Sequence, residues 1–476
     1  MGFVLGIFII YIIGYVIRRA VFFRSGENTS VFEKIGLDSG FGAGVTALVL
    51  FYLSGLGVPL SERNLYVIGV SAFIVFVCVK AFDFVMHERR GKGAPASGAR
   101  KFDKKTGIFF AIIAICLAVS LFRSVYLPAY EWASRSIFGI KARVIYESKT
   151  VYDKDLFDGE FTIEHPEYPL FMPLLETWVN SYTGREDERT GKGFLFLLAA
   201  GFISLLYGAQ RKFCGRMHAA VFTAVYATLP VFVYRMSGGE ADGPLAFFYT
   251  AAFAYMALWT ALKKNVYLLT AALFTAFAMF TKNEAAAFFM IMAATIAAVL
   301  ITDGTLPVRR KAASMAVYAA PVVILVLPWL VYSRMIPKND VIFTFRDVLN
   351  PHVFAVICDN AGRIWPIVRN FIFDLMLKPT KWNMFWFVFF AAQIFSFREM
   401  FKRPYVFLTF FMWANVFVYF FMFLTIPLRI EHMFVTMDRL FLQMSGVMIL
   451  FTSIIAARSN LLTDEEWNPD RFPTLV

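Results

Sequence analysis

Apolar runs of roughly 15 to 20 residues recur along the whole chain, and they limit the possible folds more than any other feature. Runs of this length are too long for buried strands and match the thickness of a bilayer. Every backbone amide in the hydrocarbon core needs an internal partner, which a helix provides. Short segments of alternating polarity, which a β-barrel requires, do not occur. We therefore predict an all-α polytopic membrane protein without a large soluble domain.

The composition agrees with this class and excludes others. Only 17% of the 476 residues are charged, whereas soluble proteins carry about a quarter. The net charge is +12, but the basic residues lie in short clusters between apolar runs, as topology determinants do, so we expect no nucleic-acid partner. The four cysteines are far apart and form no CxxC pair, which argues against a disulfide framework or a zinc site.

The apolar runs predict about thirteen transmembrane helices. The predicted spans are 3–17, 41–58, 65–86, 107–127, 194–209, 217–234, 243–262, 266–281, 285–302, 313–333, 383–397, 404–425 and 440–457. We divide the chain into a three-helix region (1–106), a central module (107–335) with a long outer loop (128–193), and a C-terminal region (336–476). The first run lacks a preceding basic region and a small-residue cleavage site, so we expect a retained helix.

Lys and Arg clusters follow every odd-numbered span up to the eleventh, which predicts the orientation in the membrane. Arg18 and Arg19 follow the first span, and Lys402 and Arg403 follow the eleventh. One orientation satisfies all six clusters, with the N-terminus outside and the C-terminus in the cytoplasm. A Gly/Pro/Ser-rich segment at 91–99 is typical of a flexible cytoplasmic linker.

Two long segments are predicted on the outer side, at 128–193 and 333–382. Loops of this length in a compact protein usually have a function. Both contain apolar stretches with Trp residues, which are typical of helices lying along the membrane surface. In the first loop we predict one such short helix from Tyr168 to Val179.

Five groups of charged residues fall at the outer ends of the predicted spans. They are Glu131 with Lys141, His165 with Glu167, Glu240 with Asp242, Lys282 with Glu284, and Asp438 with Arg439. Any single group has a simple interpretation as solvated loop residues. Charges at membrane depth are costly and mark functional sites, and five groups on one face favour a shared site.

The motif SGGEADGPL places two acids, Glu240 and Asp242, between glycines and a Gly-Pro that begins a span. Asp242 suits a helix cap, but Glu240 is not needed for one. A pair of acids can position a hydroxyl acceptor or hold a divalent cation through oxygen ligands. The sequence leaves the cofactor undetermined; for Mg or Mn, these two carboxylates are the expected ligands.

The motif TKNEA interrupts a long apolar stretch with Lys282 and Glu284. The simpler interpretation is a tight turn, which Asn283 would suit. The functional interpretation is a cation that meets a phosphate and an acid that orients it. Arg439 is the best phosphate candidate because a guanidinium binds phosphate through two nitrogens, although it also suits an ion pair with Asp438 or a headgroup anchor.

These motifs resemble those of the GT-C superfamily of membrane glycosyltransferases, in particular the protein mannosyltransferase and aminoarabinose transferase type. FGIKARVIY followed by HPEYPLFMPL is similar to their first-loop Lys-Ala pair and His-Pro-x-Tyr-Pro. EADGPLA is similar to their acidic motif before a helix, and TKNEA to their Thr-Lys-x-Glu turn. Their late outer arginine, which contacts the carrier phosphate, resembles Arg439. The resemblance covers residues 107–300.

One departure concerns the catalytic acid. The relatives carry a Trp-Asp pair before the Lys-Ala pair, and this spacing leads to Ala133. Glu131 is the nearest carboxylate, two residues earlier, and Asp153, Asp155 and Asp158 are the alternatives.

The resemblance implies a GT-C-like fold with 107–335 as the catalytic module. It implies transfer of a sugar from a polyprenyl-phosphate carrier to a hydroxyl of a glycan, lipid or protein, at the outer face of an inner or plasma membrane. A carboxylate, expected to be Glu131 with Glu240 and Asp242 as the other catalytic acids, takes the proton of the acceptor. Arg439 and Lys282 stabilise the leaving phosphate. The remaining substrate-binding candidates are Lys141, His165, Glu167, Glu284 and Asp438.

Two other classes remain open. A glycan polymerase or ligase is also multi-span, and the acid pair of EADGPL argues against it only moderately. A lipid-linked-sugar transporter or flippase would show internal repeats and broken helices at mid-membrane. No clear repeat is present, and the charges lie at span ends.

Overall fold

A computed structural model describes residues 1–23, 25, 27, 29–89, 103–157, 163–336, 352–425 and 430–459. Within these ranges the regular elements are helices and no strand occurs, which confirms the all-α fold. The predicted linker at 91–99 and the alternative acid Asp158 lie outside the described residues.

The helices follow the apolar runs. The first eight are α1 (Gly2–Phe22), α2 (Val31–Gly55), α3 (Glu62–Arg89), α4 (Lys104–Tyr126), α5 (Ile140–Ser148), α6 (Phe171–Thr183), α7 (Glu188–Gly191) and α8 (Phe194–Phe213). The next six are α9 (Arg216–Ala227), α10 (Pro230–Ser237), α11 (Asp242–Leu262), α12 (Asn265–Met279), α13 (Ala285–Thr302) and α14 (Val308–Tyr332). The last seven are α15 (His352–Asp359), α16 (Ile364–Asn370), α17 (Pro379–Trp382), α18 (Phe385–Phe395), α19 (Phe397–Met400), α20 (Tyr405–Thr425) and α21 (Ile430–Arg458).

Ten helical segments in the described part of the chain are long and apolar enough to cross a bilayer, so the protein is an integral membrane protein. The pair α9 and α10 is bent by 64° and makes an eleventh span if it counts as one. The other two predicted spans are the shorter helices α12, of 15 residues, and α18, of 11 residues. The count of thirteen is therefore not confirmed, because an apolar run of span length includes residues that the structure uses for turns.

Helices α11 and α12 pack as a hairpin. The side chain of Asp242, which begins α11, contacts that of Lys282, which lies just beyond the end of α12. The chain runs away from Asp242 along α11 and returns along α12, so Lys282 lies beside the first residue of α11. This hairpin brings the EADG and TKNEA motifs together.

Helices α1 and α2 pack closely through glycine. A methyl group added at Gly14 would overlap the carbonyl of Asp38, and one added at Gly42 would overlap the carbonyl of Ile10. Small residues at a crossing let two membrane helices approach at backbone distance. Arg18 and Asp38 form a buried ion pair next to this crossing. Helix α2 also packs against α8, which attaches the N-terminal helices to the central module.

The predicted short helix of the first loop is α6, and its 13 residues are too few to span a bilayer. Twelve of the 13 are buried, which is more than we expected, because α1, α2, α5 and α8 surround the helix. The indole of Trp178 donates to the carbonyl of Gly6 at 3.0 Å. The helix ends at Gly184, which adopts φ +69°, as a C-terminal glycine often does. Its position along the membrane surface stays a prediction.

Candidate active site

The carboxylate of Asp242, the first residue of α11, is fully buried and surrounded by donors. It accepts hydrogen bonds from Lys282 Nζ at 3.0 Å, Arg439 Nε at 2.9 Å and Gln443 Nε2 at 2.7 Å. Arg439 and Gln443 lie one turn apart on α21 and therefore face the same side. The sequence suggested a helix cap at Asp242, whereas its carboxylate instead joins α11 to α21 and to the TKNEA turn.

Glu240 lies two residues before Asp242, in the turn between α10 and α11. Its side chain is 1% exposed and accepts from Arg235 Nη1 at 2.6 Å, while Arg439 Nη2 is 3.8 Å away. Burial raises the pKa of Glu240 above its usual value, and the charge of Arg439 opposes this shift. Gly239 adopts φ +94° in this turn and leaves no room for a side chain against Ser134.

Arg235 connects Glu240 to Glu131 and was not among the residues selected from the sequence. Its Nη1 also donates to Glu131 Oε2 at 2.8 Å. Glu131 is more accessible than Glu240, with 20% of its side chain exposed. Arg235 directly follows the predicted span 217–234 and is the only charge in the apolar segment VFVYRMSGG, and that signal could have identified it.

Lys282 links Asp242 to Glu284. The ammonium of Lys282 lies 2.9 Å from Glu284 Oε1. Burial alone would lower the pKa of Lys282, but the carboxylates of Asp242 and Glu284 outweigh it, so the pKa lies above its usual value. The second oxygen of Glu284 is buried and has no hydrogen-bond partner among the described residues. Buried polar atoms are normally paired, so this oxygen suits a ligand hydroxyl.

Lys141 is buried and holds the backbone of the HPEYP turn. Its Nζ donates to the carbonyls of His165 at 3.0 Å, Pro166 at 2.9 Å and Tyr168 at 3.0 Å. Burial lowers the pKa of Lys141 to about 7, and the negative charge of Glu167 opposes this shift. All three N–H groups are engaged within the protein, which favours a positioning role over the expected contact with substrate.

The carbonyl of Glu167, in the same turn, accepts from Asn283 Nδ2 at 3.3 Å. The HPEYP turn is therefore fastened to the TKNEA motif as well as to α5. Glu167 is buried; its Oε1 lies 3.1 Å from His165 Nδ1, and its Oε2 has no partner in the described part of the chain. Glu167 Oε2 and Glu284 Oε2 are thus both buried carboxylate oxygens without a partner within the described ranges, and they lie in neighbouring turns.

Tyr168 connects the turn to the charged residues. The ring of His165 stacks on it at 4.9 Å, and Lys282 Nζ lies 5.8 Å from its centroid. Burial raises the pKa of Tyr168 to about 12. Tyr168 is thus a neutral donor beside Lys282, and it was not among the residues selected from the sequence.

Asp438 and Arg439 have different partners although they are adjacent. Asp438 forms an ion pair with Lys381 and accepts from Trp382 Nε1 at 3.4 Å, which ties α17 to α21. Arg439 instead reaches Asp242 and Glu240. The simple pairing of Arg439 with Asp438 is therefore not observed.

The fit of a divalent cation follows from the charges around the acids. Within the described ranges, no group of three or more His, Cys, Asp or Glu side chains is arranged to hold a metal. Glu240 and Asp242 are already paired with Arg235, Arg439 and Lys282. A metal would have to displace one of these cations, so this donor set does not fit one.

Of the alternative acids, Asp153 accepts from the backbone N–H of Asp155 within the loop.

Residues 170–332 match the model of the dolichyl-phosphate-mannose-protein mannosyltransferase family. This range extends from the start of α6 to the end of α14 and contains Arg235, Glu240, Asp242, Lys282 and Glu284. The chain matches none of the curated proteins at a significant level.

Two solved structures are similar in part, both of an oligosaccharyltransferase from Archaeoglobus fulgidus. The first, a crystal structure with zinc and sulfate, is 13% identical with a TM-score of 0.46, over 73% of this chain and 49% of that one. The second, archaeal oligosaccharyltransferase AglB with an inhibitory peptide and a dolichol-phosphate, is 11% identical with a TM-score of 0.40, over 74% and 50%. The chain spans about half the length of either structure.

Proposed function

We propose that the chain is a membrane glycosyltransferase of the GT-C superfamily whose donor is a sugar on a polyprenyl-phosphate carrier. The match of residues 170–332 to a mannosyltransferase family supports this proposal. The acceptor is a hydroxyl of a glycan, lipid or protein. The reaction takes place at the outer face of an inner or plasma membrane, with the N-terminus outside and the C-terminus in the cytoplasm. Residues 107–335 form the catalytic module, preceded by 1–106 and followed by 336–476.

The convergence of two cations on Asp242 carries this proposal. Lys282 and Arg439 come from distant parts of the chain, and each donates to this carboxylate. The side chain of Arg439 is 21% exposed and keeps N–H groups that Asp242 does not use. A guanidinium and an ammonium held together in this way suit a phosphate whose negative charge grows as it leaves.

Asp242 is poorly placed to act as the base. Its oxygens accept three side-chain hydrogen bonds, two of them from cations, and it is fully buried. Its proposed role is to orient Arg439 and Lys282. In this arrangement Glu240 has a similar role for Arg235, which its carboxylate contacts at 2.6 Å.

Glu131 is the proposed base because it is the most accessible carboxylate bonded to Arg235. It takes the proton from the acceptor hydroxyl while that oxygen forms a bond to the anomeric carbon of the sugar. The bond between the anomeric carbon and the phosphate oxygen breaks, and its electron pair stays on the phosphate. Arg235 keeps the Glu131 side chain in position for this transfer.

The two unpaired carboxylate oxygens, on Glu284 and Glu167, are the proposed contacts to sugar hydroxyls. Carboxylates are acceptors and sugars present donors, so each such contact satisfies a buried oxygen. Both residues lie near Tyr168, whose ring is next to Lys282. The donor phosphate and the sugar would then lie on either side of this ammonium.

Mass spectrometry of the lipid that copurifies with the full chain tests the donor. A polyprenyl phosphate in the wild type, lost from Arg439→Ala but kept in Arg398→Ala, supports the proposal. Arg398 lies on α19 and is exposed, so it controls for the loss of one positive charge. If added polyprenyl-phosphate sugar neither binds nor gives a product, the donor assignment is overturned. Movement of the lipid across a vesicle membrane without a product would instead indicate a flippase.

A further inference from the structure

A cavity of about 520 Å³ lies at the end of α11 that is opposite Asp242. Helix α11 has 21 residues, so about 30 Å of helix separates the two ends. The lining includes three cations and, in the described part of the chain, no carboxylate. The cations are Lys263, Lys264 and Arg310.

The backbone and neighbouring side chains hold these cations at the cavity. Lys263 ends α11 in the left-handed conformation, at φ +54°, and its ammonium lies 4.9 Å from the ring centroid of Trp259. Lys263 also pairs with Asp303 at 3.8 Å, and Lys264 pairs with Glu27. Arg310, in the first turn of α14, is exposed, and its guanidinium has no partner among the described side chains.

The cationic cavity continues into an apolar groove. A second cavity, of about 470 Å³, shares Ser25, Asn265 and Val266 with the first. Its other lining residues come from α1 and its end, from α12 and from α14, and none of them is charged. They are Ala20, Val21, Phe23, Leu269 and Val317.

We propose that these joined cavities bind one anionic phospholipid, with its phosphate at Lys263, Lys264 and Arg310 and an acyl chain in the groove. Basic pockets between membrane helices attract anionic lipid head groups. A soluble phosphate would use only the cationic cavity, whereas the apolar groove that opens directly from it fits a hydrocarbon chain. The bound lipid connects α1 to α14 across α12. The inference is independent of the proposed transfer reaction.

Native mass spectrometry of the full chain with dioleoyl phosphatidylglycerol tests the proposal, with dioleoyl phosphatidylcholine as the neutral reference. We expect Arg310→Glu to weaken phosphatidylglycerol binding by about fivefold or more, because a basic residue contributes about 1 kcal/mol towards an anionic membrane surface. Arg309→Glu is the matched control, since Arg309 is the preceding residue and equally basic but does not line the cavity. Equal loss in both variants would overturn the proposal.

A second arm separates a lipid from a soluble phosphate. Val317→Trp fills the groove and leaves the cations in place, so it should weaken phosphatidylglycerol binding and leave phosphatidylcholine unaffected. Glycerol 3-phosphate in excess should not displace the lipid. If it displaces the lipid fully and Val317→Trp binds normally, the site takes a soluble phosphate. Arg310→Gln and Arg309→Gln give the same comparison if the charge reversals fail to fold.

Discussion

Arg439 donates through Nε to the Asp242 carboxylate at 2.9 Å, although the two residues are 197 positions apart. The candidate site is therefore shared between α11 and α21. Arg439 lies outside the segment that matches the mannosyltransferase family, and Asp242 lies inside it. The match by itself thus omits one of the two cations on which the proposed phosphate site depends.

Glu131→Gln tests the proposed base. We expect turnover to fall by about 10² to 10⁴, because the amide keeps the shape but does not accept the proton. Donor binding should persist, since a neutral amide repels phosphate less than a carboxylate does. Transfer rates and donor affinity measured on the purified protein separate the two effects. Glu147→Gln, an exposed acid on α5, is the control. Wild-type transfer by Glu131→Gln together with an inactive Asp242→Asn would reverse the two roles.

Arg439→Ala tests the phosphate contact. A hydrogen bond to a charged group contributes roughly 1.5 to 3 kcal/mol, so donor affinity should fall by about tenfold or more, together with turnover. Arg439→Lys keeps the charge but changes the geometry, and we expect it to restore part of the binding. Titration with polyprenyl phosphate gives the affinities. Unchanged affinity in Arg439→Ala would place the phosphate elsewhere.

Asn283→Ala tests the connection between the first loop and the TKNEA motif. It removes the hydrogen bond to the Glu167 carbonyl and should cost about 1 kcal/mol of stability. Because Glu167 and Tyr168 then lose one fixed point, turnover should fall clearly, whereas the thermal midpoint should change little. Lys141→Met removes three hydrogen bonds from the same turn and should lower both strongly. Normal turnover in Asn283→Ala would show that this connection is not needed for transfer.

Glu176 predicts a pH dependence of stability. Burial raises its pKa from 4.5 to about 8, while the charge of Lys192 opposes the shift. Between these two values the folded chain keeps a proton that the unfolded chain has released, so stability falls as pH rises through this window. The stabilisation is complete below pH 4.5 and is lost as pH rises through about 8. Glu176→Gln should flatten the decline in thermal midpoint from pH 5 to 8. Equal slopes in variant and wild type would exclude Glu176 as the cause.

The fold class could be predicted because bilayer spans leave long apolar runs that a sequence shows directly. The span count could not, because the length of a run does not reveal where the chain turns. Residues 280 and 281 belong to the predicted span 266–281 but form the turn that leads to Lys282. Helix α12 therefore ends at Met279, with 15 residues.

The site could be predicted only in part, for a related reason. Glu240, Asp242, Lys282 and Arg439 belong to motifs with local signals, and the structure brings all four together. The partners that complete the network depend on distant packing. Gln443 lies inside an apolar helix, and the three donors of Lys141 meet carbonyls that no sequence pattern identifies.

The pair Arg18 and Asp38 bears on how the chain enters the bilayer. The two residues are 20 positions apart, and the buried charge of each is compensated by the other. Because Arg18 is buried, its charge would be costly without the partner on α2. Because Gly14 and Gly42 bring α1 and α2 into backbone contact, the two helices can insert as one hairpin in which the charges of Arg18 and Asp38 compensate each other. That hairpin would be in place before α8, which packs against it, leaves the ribosome.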